Sequence, residues 1–197
     1  MKVIGLTGGV GAGKSSVLEW MREEWNAYVI VTDLVGRRLM EPGGATYRSL
    51  LETFGETILA GDGTIRRERL AELVFRDEAS VQRVNAIVHP LVKEAVAQEL
   101  EQVRQAQTHA YAVVESALLR EGGLTEFCDA VWYLYASSAV RIKRLMESRG
   151  YTRQRCQAVM DRQLSDEQFR READAVIDNS GDFEETKQQI RNLLKRQ

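Results

Sequence analysis

The sequence predicts an α/β fold: a mostly parallel sheet of about five strands with helices on both faces. Three observations carry this prediction. Short apolar runs recur along the chain with helical stretches between them, the pattern of strands buried on both sides. A glycine-rich loop, "TGGVGAGKS" at 7–15, separates the first run from the first helix. Two helical excursions, over 34–108 and 137–172, interrupt the alternation.

The elements follow in order. "KVIGL" (2–6) reads as a short apolar strand, and a helix is expected from about Lys14 to Glu24. "AYVIVT" (27–32) is a second strand, rich in β-branched residues. The first excursion carries helical spacing instead: Leu70, Leu73 and Val74, then Val84, Ile87, Val88, Leu91, Val92, Val96, Leu100 and Val103. Pro90 falls inside that second stripe and is expected to kink the helix or start a new one near His89. "MEPGGA" (40–45) and "AGDGT" (60–64) read as turns. "AYAVVE" (110–115) and "AVWYLY" (130–135) are the third and fourth strands. The second excursion is rich in arginine (Arg141, Arg144, Arg149, Arg153, Arg155, Arg162), which also suits a solvated helical face. "AVID" (175–178) is a fifth strand, and a last helix is expected over Phe183 to Leu194. The expected division is a core of 1–33, 109–136 and 173–197, a helical domain over 34–108, and a small helical unit over 137–172.

Composition narrows the function classes. A chain of 197 residues, 44% hydrophobic and 28% charged, can bury a substantial core. A formal net charge of −2 argues against a nucleic-acid partner. Cys128 and Cys156 form no CxxC pair, so neither a disulfide framework nor a zinc site is expected. No apolar run approaches the ~20 residues that span a bilayer. The first strand begins almost at Met1, so no leader is expected, and a reducing cytoplasm is the expected location. Nothing in the sequence specifies the oligomeric state.

Gly8–x4–Gly13–Lys14–Ser15 fits the phosphate-binding pattern G-x4-G-K-[ST]. It lies between an apolar strand and a helix, which is the confirming context. Glycines let successive backbone amides point into one anion-sized hollow, and the helix adds the positive end of its dipole. Residues Gly9, Val10, Gly11, Ala12, Gly13, Lys14, Ser15 and Ser16 are therefore expected to hold a nucleoside triphosphate. Lys14 can reach the β- and γ-phosphates, and Ser15 can place its hydroxyl on Mg²⁺. A guanine-selecting N-K-x-D segment is absent, which argues against a GTPase switch.

The next strand leads into "VTDLVGRRL". Ligands of parallel sheets gather at the carboxyl ends of strands, so Asp33 is a candidate base for an attacking hydroxyl. It also suits the N-cap of a helix beginning at Leu34, and the two roles are compatible. Glu115 ends a strand near the loop. It suits either a water on Mg²⁺ or a pairing with a nearby lysine or arginine. His89 suits a structural role as well as a ligand contact, and Trp20, Trp25 and Trp132 read as core.

With these residues in view, the sequence resembles the dephospho-coenzyme A kinase family over nearly its whole length. The matching segments are "IGLTGGVGAGKS" (4–15), "TDLVGRRLMEPG" (32–43), "DGTIRRERLAELVF" (62–75), "NAIVHPLV" (85–92), "ALLRE" (117–121), "IKRLM" (142–146) and "ADAVIDNSG" (173–181). The resemblance implies a P-loop kinase-like core that binds ATP, a helical domain that receives dephospho-CoA, and a small helical lid. It implies that Asp33 deprotonates the ribose 3′-hydroxyl and that Lys14 and Arg144 neutralise the transferring phosphoryl. Arg37, Arg67 and His89 would contact the acceptor, and Asn179 would lie beside the adenine of ATP. The chain departs from the family pattern at Thr32, Ala117, Arg120, Ser148, Arg149 and Val159.

Overall fold

The computed structural model describes residues 1–74 and 77–196. Phe75, which closes the segment 62–75, lies outside the described residues. The chain divides into two compact units, Met1–Ile30 with Ala106–Gln197, and Val31–Gln105.

The strands are β1 (Lys2–Thr7), β2 (Tyr28–Val31), β3 (Tyr111–Glu115), β4 (Ala130–Tyr135) and β5 (Ala175–Asp178). Among the described residues they make one five-stranded sheet in the order β2-β3-β1-β4-β5. β1 pairs in parallel with β3 and β4, and β4 with β5. The register sets Leu6 opposite both Glu115 and Trp132, so β1 ends beside the acid that closes β3. Val3, Ile4, Leu6, Val113, Val114, Trp132 and Leu134 have no exposed surface, as expected of strands covered on both faces. Two aspartates fix strand entry in the same way. Asp129 and Asp174 accept the Val3 and Val131 amides at 2.7 Å, while their own amides donate back to the carbonyls of those residues.

Helices α1 (Lys14–Trp25), α6 (Ser138–Arg149), α7 (Arg153–Met160), α8 (Asp166–Glu172) and α9 (Phe183–Arg196) belong to this first unit. Ser137 caps α6 and Thr152 caps α7, and Ser165 with Gln168 forms a capping box on α8. Local sequence therefore starts each helix of the arginine-rich segment.

The second unit holds α2 (Thr32–Leu39), α3 (Ala45–Phe54), α4 (Arg67–Val74) and nearly all of α5 (Glu78–Ala106). It has its own core of Leu50, Ile58, Ile65, Leu70 and Val74, against which Val84 and Ile87 of α5 pack. α2 lies against α5, where a Cβ added at Gly36 would make ordinary van der Waals contact with Val92 Cγ2 at 3.7 Å.

Three local expectations change. The second strand stops at Val31, and Thr32 already opens α2. Asp33 is therefore not the helix cap. Val31 holds that position and Asp33 lies in the first helical turn, where the helix dipole favours a carboxylate. No new helix begins near His89, because α5 runs unbroken for 29 residues with Pro90 inside it. The apolar stripe on both sides of the proline outweighs one missing backbone hydrogen bond.

Candidate active site

The loop after β1 enters α1 through Gly13, which has φ +95° and supplies the cap position with no capping side chain. An added Cβ there would collide with Asn179 Nδ2, so glycine is required on both counts. The earliest helix bond runs from the Val17 amide to the Gly13 carbonyl at 3.3 Å. The amides of Lys14, Ser15 and Ser16 precede it, left for a ligand at the positive end of α1. Lys14 Nζ donates to the Gly8 carbonyl at 2.7 Å and lies 3.5 Å from Glu115 Oε1. The pairing foreseen for Glu115 thus forms with the loop lysine itself.

Two side-chain braces hold the loop from outside. At its helix end, Asn179 Nδ2 donates to the Ala12 carbonyl at 2.7 Å. Arg144 donates to the same carbonyl at 3.3 Å and to the Asn179 carbonyl at 2.9 Å. The Thr186 hydroxyl donates to Asn179 Oδ1 at 2.9 Å. At the strand end, Gln163 Oε1 accepts the Val10 amide at 2.9 Å and Arg141 Nη2 at 2.8 Å, while Arg141 Nε donates to the Val10 carbonyl at 2.8 Å. A trans peptide is planar, with its C=O and the following N–H pointing opposite ways. Pinning the Ala12 carbonyl outward therefore turns the Gly13 amide inward.

The second unit carries its own polar cleft of about 470 Å³, lined by Arg37, Met40, Pro42, Thr64, Arg66, Arg67 and the acids Glu41 and Glu68, among others. Arg37, Arg66 and Arg67 are exposed, as is Asp33 in the first turn of α2. Three guanidiniums around two carboxylates suit an anionic ligand. His89 is half-buried in the middle of α5.

A family profile for dephospho-CoA kinase matches residues 2–185. The chain belongs to the dephospho-CoA kinase family. The dephospho-CoA kinase of Moorella thermoacetica is 37% identical over 191 residues, covering 97% of this chain and 90% of the relative. That of Geobacillus kaustophilus is 38% identical over 192 residues, covering 98% and 94%. The crystal structure of a Thermus thermophilus protein superposes with a TM-score of 0.83 at 28% identity, covering 99% of this chain and 97% of that one. A shikimate kinase from Acinetobacter baumannii shares the fold alone, with a TM-score of 0.56 at 13% identity and coverage of 100% and 95%.

Within this dephospho-CoA kinase frame, the structure gathers Lys14, Arg144 and Asn179 around one loop. Asp33, Arg37, Arg67 and His89 belong to the other unit. Arg149, one of the departures from the family pattern, is exposed and lies over the Tyr151 ring at 6.0 Å. Arg141 and Gln163 were not singled out by sequence. Arg149, Arg153, Arg155 and Arg162 are exposed as a solvated face requires, but Arg141 is buried. The available signal was its place four residues before the buried Leu145, on the apolar side of α6.

Proposed function

We infer that this chain transfers the γ-phosphoryl group of ATP to the ribose 3′-hydroxyl of dephospho-CoA, giving coenzyme A and ADP. The observation that carries the reading is the uncapped start of α1, with Lys14 held between the Gly8 carbonyl and Glu115, in a chain matched by the family over residues 2–185. Phosphoryl transfer needs positioning and charge neutralisation more than covalent chemistry. The loop from Gly9 to Ser16 would cradle the phosphates, and Lys14 would neutralise charge at the β- and γ-oxygens. Arg144, anchored on Ala12 and Asn179, would add a second cation, with Asn179 on the adenine side.

Asp33 would take the proton of the 3′-hydroxyl as the oxygen attacks the γ-phosphorus, and the β–γ bridging oxygen leaves with ADP. Its exposure in the first turn of α2 supports that role. Arg37 and Arg67 would hold the acceptor's pyrophosphate through charge-assisted hydrogen bonds, and His89 would contact the acceptor from α5.

The donor set fits Mg²⁺ carried by the nucleotide. Among the described residues no three His, Cys, Asp or Glu side chains form a protein cage. The exposed hydroxyl of Ser15 and a nearby carboxylate suit an ion that keeps its waters. Ser15 would hold it, Glu115 would act through water, and the ion would supply charge neutralisation for the transferring phosphoryl group. A cytoplasmic location belongs to the same reading, supported by the free thiols of Cys128 and Cys156.

Incubation with Mg-ATP and dephospho-CoA, followed by mass spectrometry, tests the reading. The expected product carries one added phosphate on the ribose. Phosphorylation of other alcohols with none of dephospho-CoA would replace the acceptor, and ATP binding without any transfer would replace the enzyme by a nucleotide-binding protein.

A further inference from the structure

Arg141 is a cation in an unusual place. It sits only 6% exposed in the first turn of α6, at the end of the helix where the dipole disfavours positive charge. Among the described residues, none of the ion pairs includes it. Its partners are the neutral oxygens of Val10 and Gln163. A buried charge without a counter-ion is costly, and its retention calls for an anion that completes it. The guanidinium lies flat against the loop, since a Cβ on Gly9 would collide with its Cζ and both Nη atoms. Gly11 also lies close to the backbone of α6, where an added Cβ would meet the Arg141 carbonyl at 3.0 Å.

Resting on the reading that this loop holds a nucleoside triphosphate, we propose that Arg141 is a positioning residue for the phosphates, acting with Gln163 as a clasp on Val10. Nε holds the Val10 carbonyl toward α6, and peptide planarity then turns the Gly11 amide the opposite way, into the anion hollow. A charged donor on that carbonyl also polarises the peptide and strengthens the Gly11 N–H as a donor. Gln163 completes the clasp. One oxygen accepts both the Val10 amide and Nη2, which keeps the Val10 amide out of the hollow and leaves the guanidinium charge unneutralised. The counter-ion of Arg141 is the bound nucleotide.

Two variants separate this from a purely structural brace. Gln163→Glu keeps an oxygen acceptor for both donors but neutralises the guanidinium. Arg141→Gln removes the cation without adding an anion. Binding of AMP, ADP and ATP is measured by calorimetry on the full chain, beside the apo melting temperature and the KM values for both substrates. In Gln163→Glu the apo melting temperature is expected to stay level or rise while affinity for ATP falls about tenfold or more, ~1.4 kcal/mol. The loss grows from AMP to ATP. In Arg141→Gln the loss follows the same phosphate order, KM rises for ATP and not for dephospho-CoA, and Arg141→Lys recovers part of the affinity. ATP affinity within twofold of the parent in Gln163→Glu, or an equal loss for AMP and ATP in either variant, overturns the proposal. Failure of the parent chain to bind ATP overturns the reading of the loop, and the proposal with it.

Discussion

Asn179 donates through Nδ2 to the carbonyl of Ala12 at 2.7 Å, 167 residues earlier in the chain. That bond ties the segment after β5 to the glycine-rich loop after β1, and Thr186 locks it from behind through Oδ1. Asn179 is 2% exposed, so truncation strands buried polar atoms that water cannot reach. Asn179→Ala is expected to lower unfolding stability by about 1–3 kcal/mol and to weaken ATP binding, because the Gly13 amide loses its aim. Denaturant melts and nucleotide titration check the pair of effects. A loss of stability with unaltered ATP affinity would separate the brace from the binding site.

Lys14 is positioned by the Gly8 carbonyl and Glu115. Lys14→Ala is expected to lower kcat/KM by about 10²-fold or more, in line with removal of one preorganised stabilising group. Steady-state kinetics with varied ATP measure this. Unchanged turnover would remove the lysine from the phosphate site.

Asp33 stands exposed in the first turn of α2. Asp33→Asn keeps the shape and removes the base. The expected result is a fall in kcat of about 10²–10⁴-fold with the Kd for ATP within about twofold. Near-native turnover in the folded variant assigns the proton to another group.

The cleft of the second unit makes its own forecast. Arg37→Ala and Arg67→Ala are each expected to raise KM for dephospho-CoA about tenfold, the worth of one charge-assisted hydrogen bond, and to leave KM for ATP in place. An equal rise in both constants would mean that the arginines support folding and not acceptor capture.

Burial pushes the Cys128 thiol up from 9.0 to about 12, helped by the charges of Asp129 and Asp174. The raised value favours the protonated thiol in the folded chain. Its contribution to stability is therefore whole below pH 9 and is lost as pH rises toward 12. The thiolate is the reactive form, so Cys128 in the folded protein is expected to label about a thousandfold more slowly at pH 8 than in denaturant. Labelling of both states at one rate contradicts the shift.

The sequence alone determined the strand–glycine-rich loop–helix, the five apolar strands and the two helical excursions. Each is written in local spacing: glycines before Lys14, continuous apolar runs, stripes such as Val96, Leu100 and Val103. It also placed every strand to within a residue or two, and the central strands β1, β3 and β4, buried on both faces, carry no ambiguous alternation. Tertiary structure decided the rest. Pro90 remains inside α5 because apolar contacts on both sides of it outweigh one lost bond. Val31, not Asp33, caps α2, since helix ends depend on where the preceding strand stops pairing. The place of Arg141 four residues before Leu145 set it on the apolar side of α6, but its partners were fixed only when α6 came to lie against the loop. Burial and hydrogen-bond partners are made by residues 131 or 153 positions apart, and a contact over such a separation leaves no local periodicity to read.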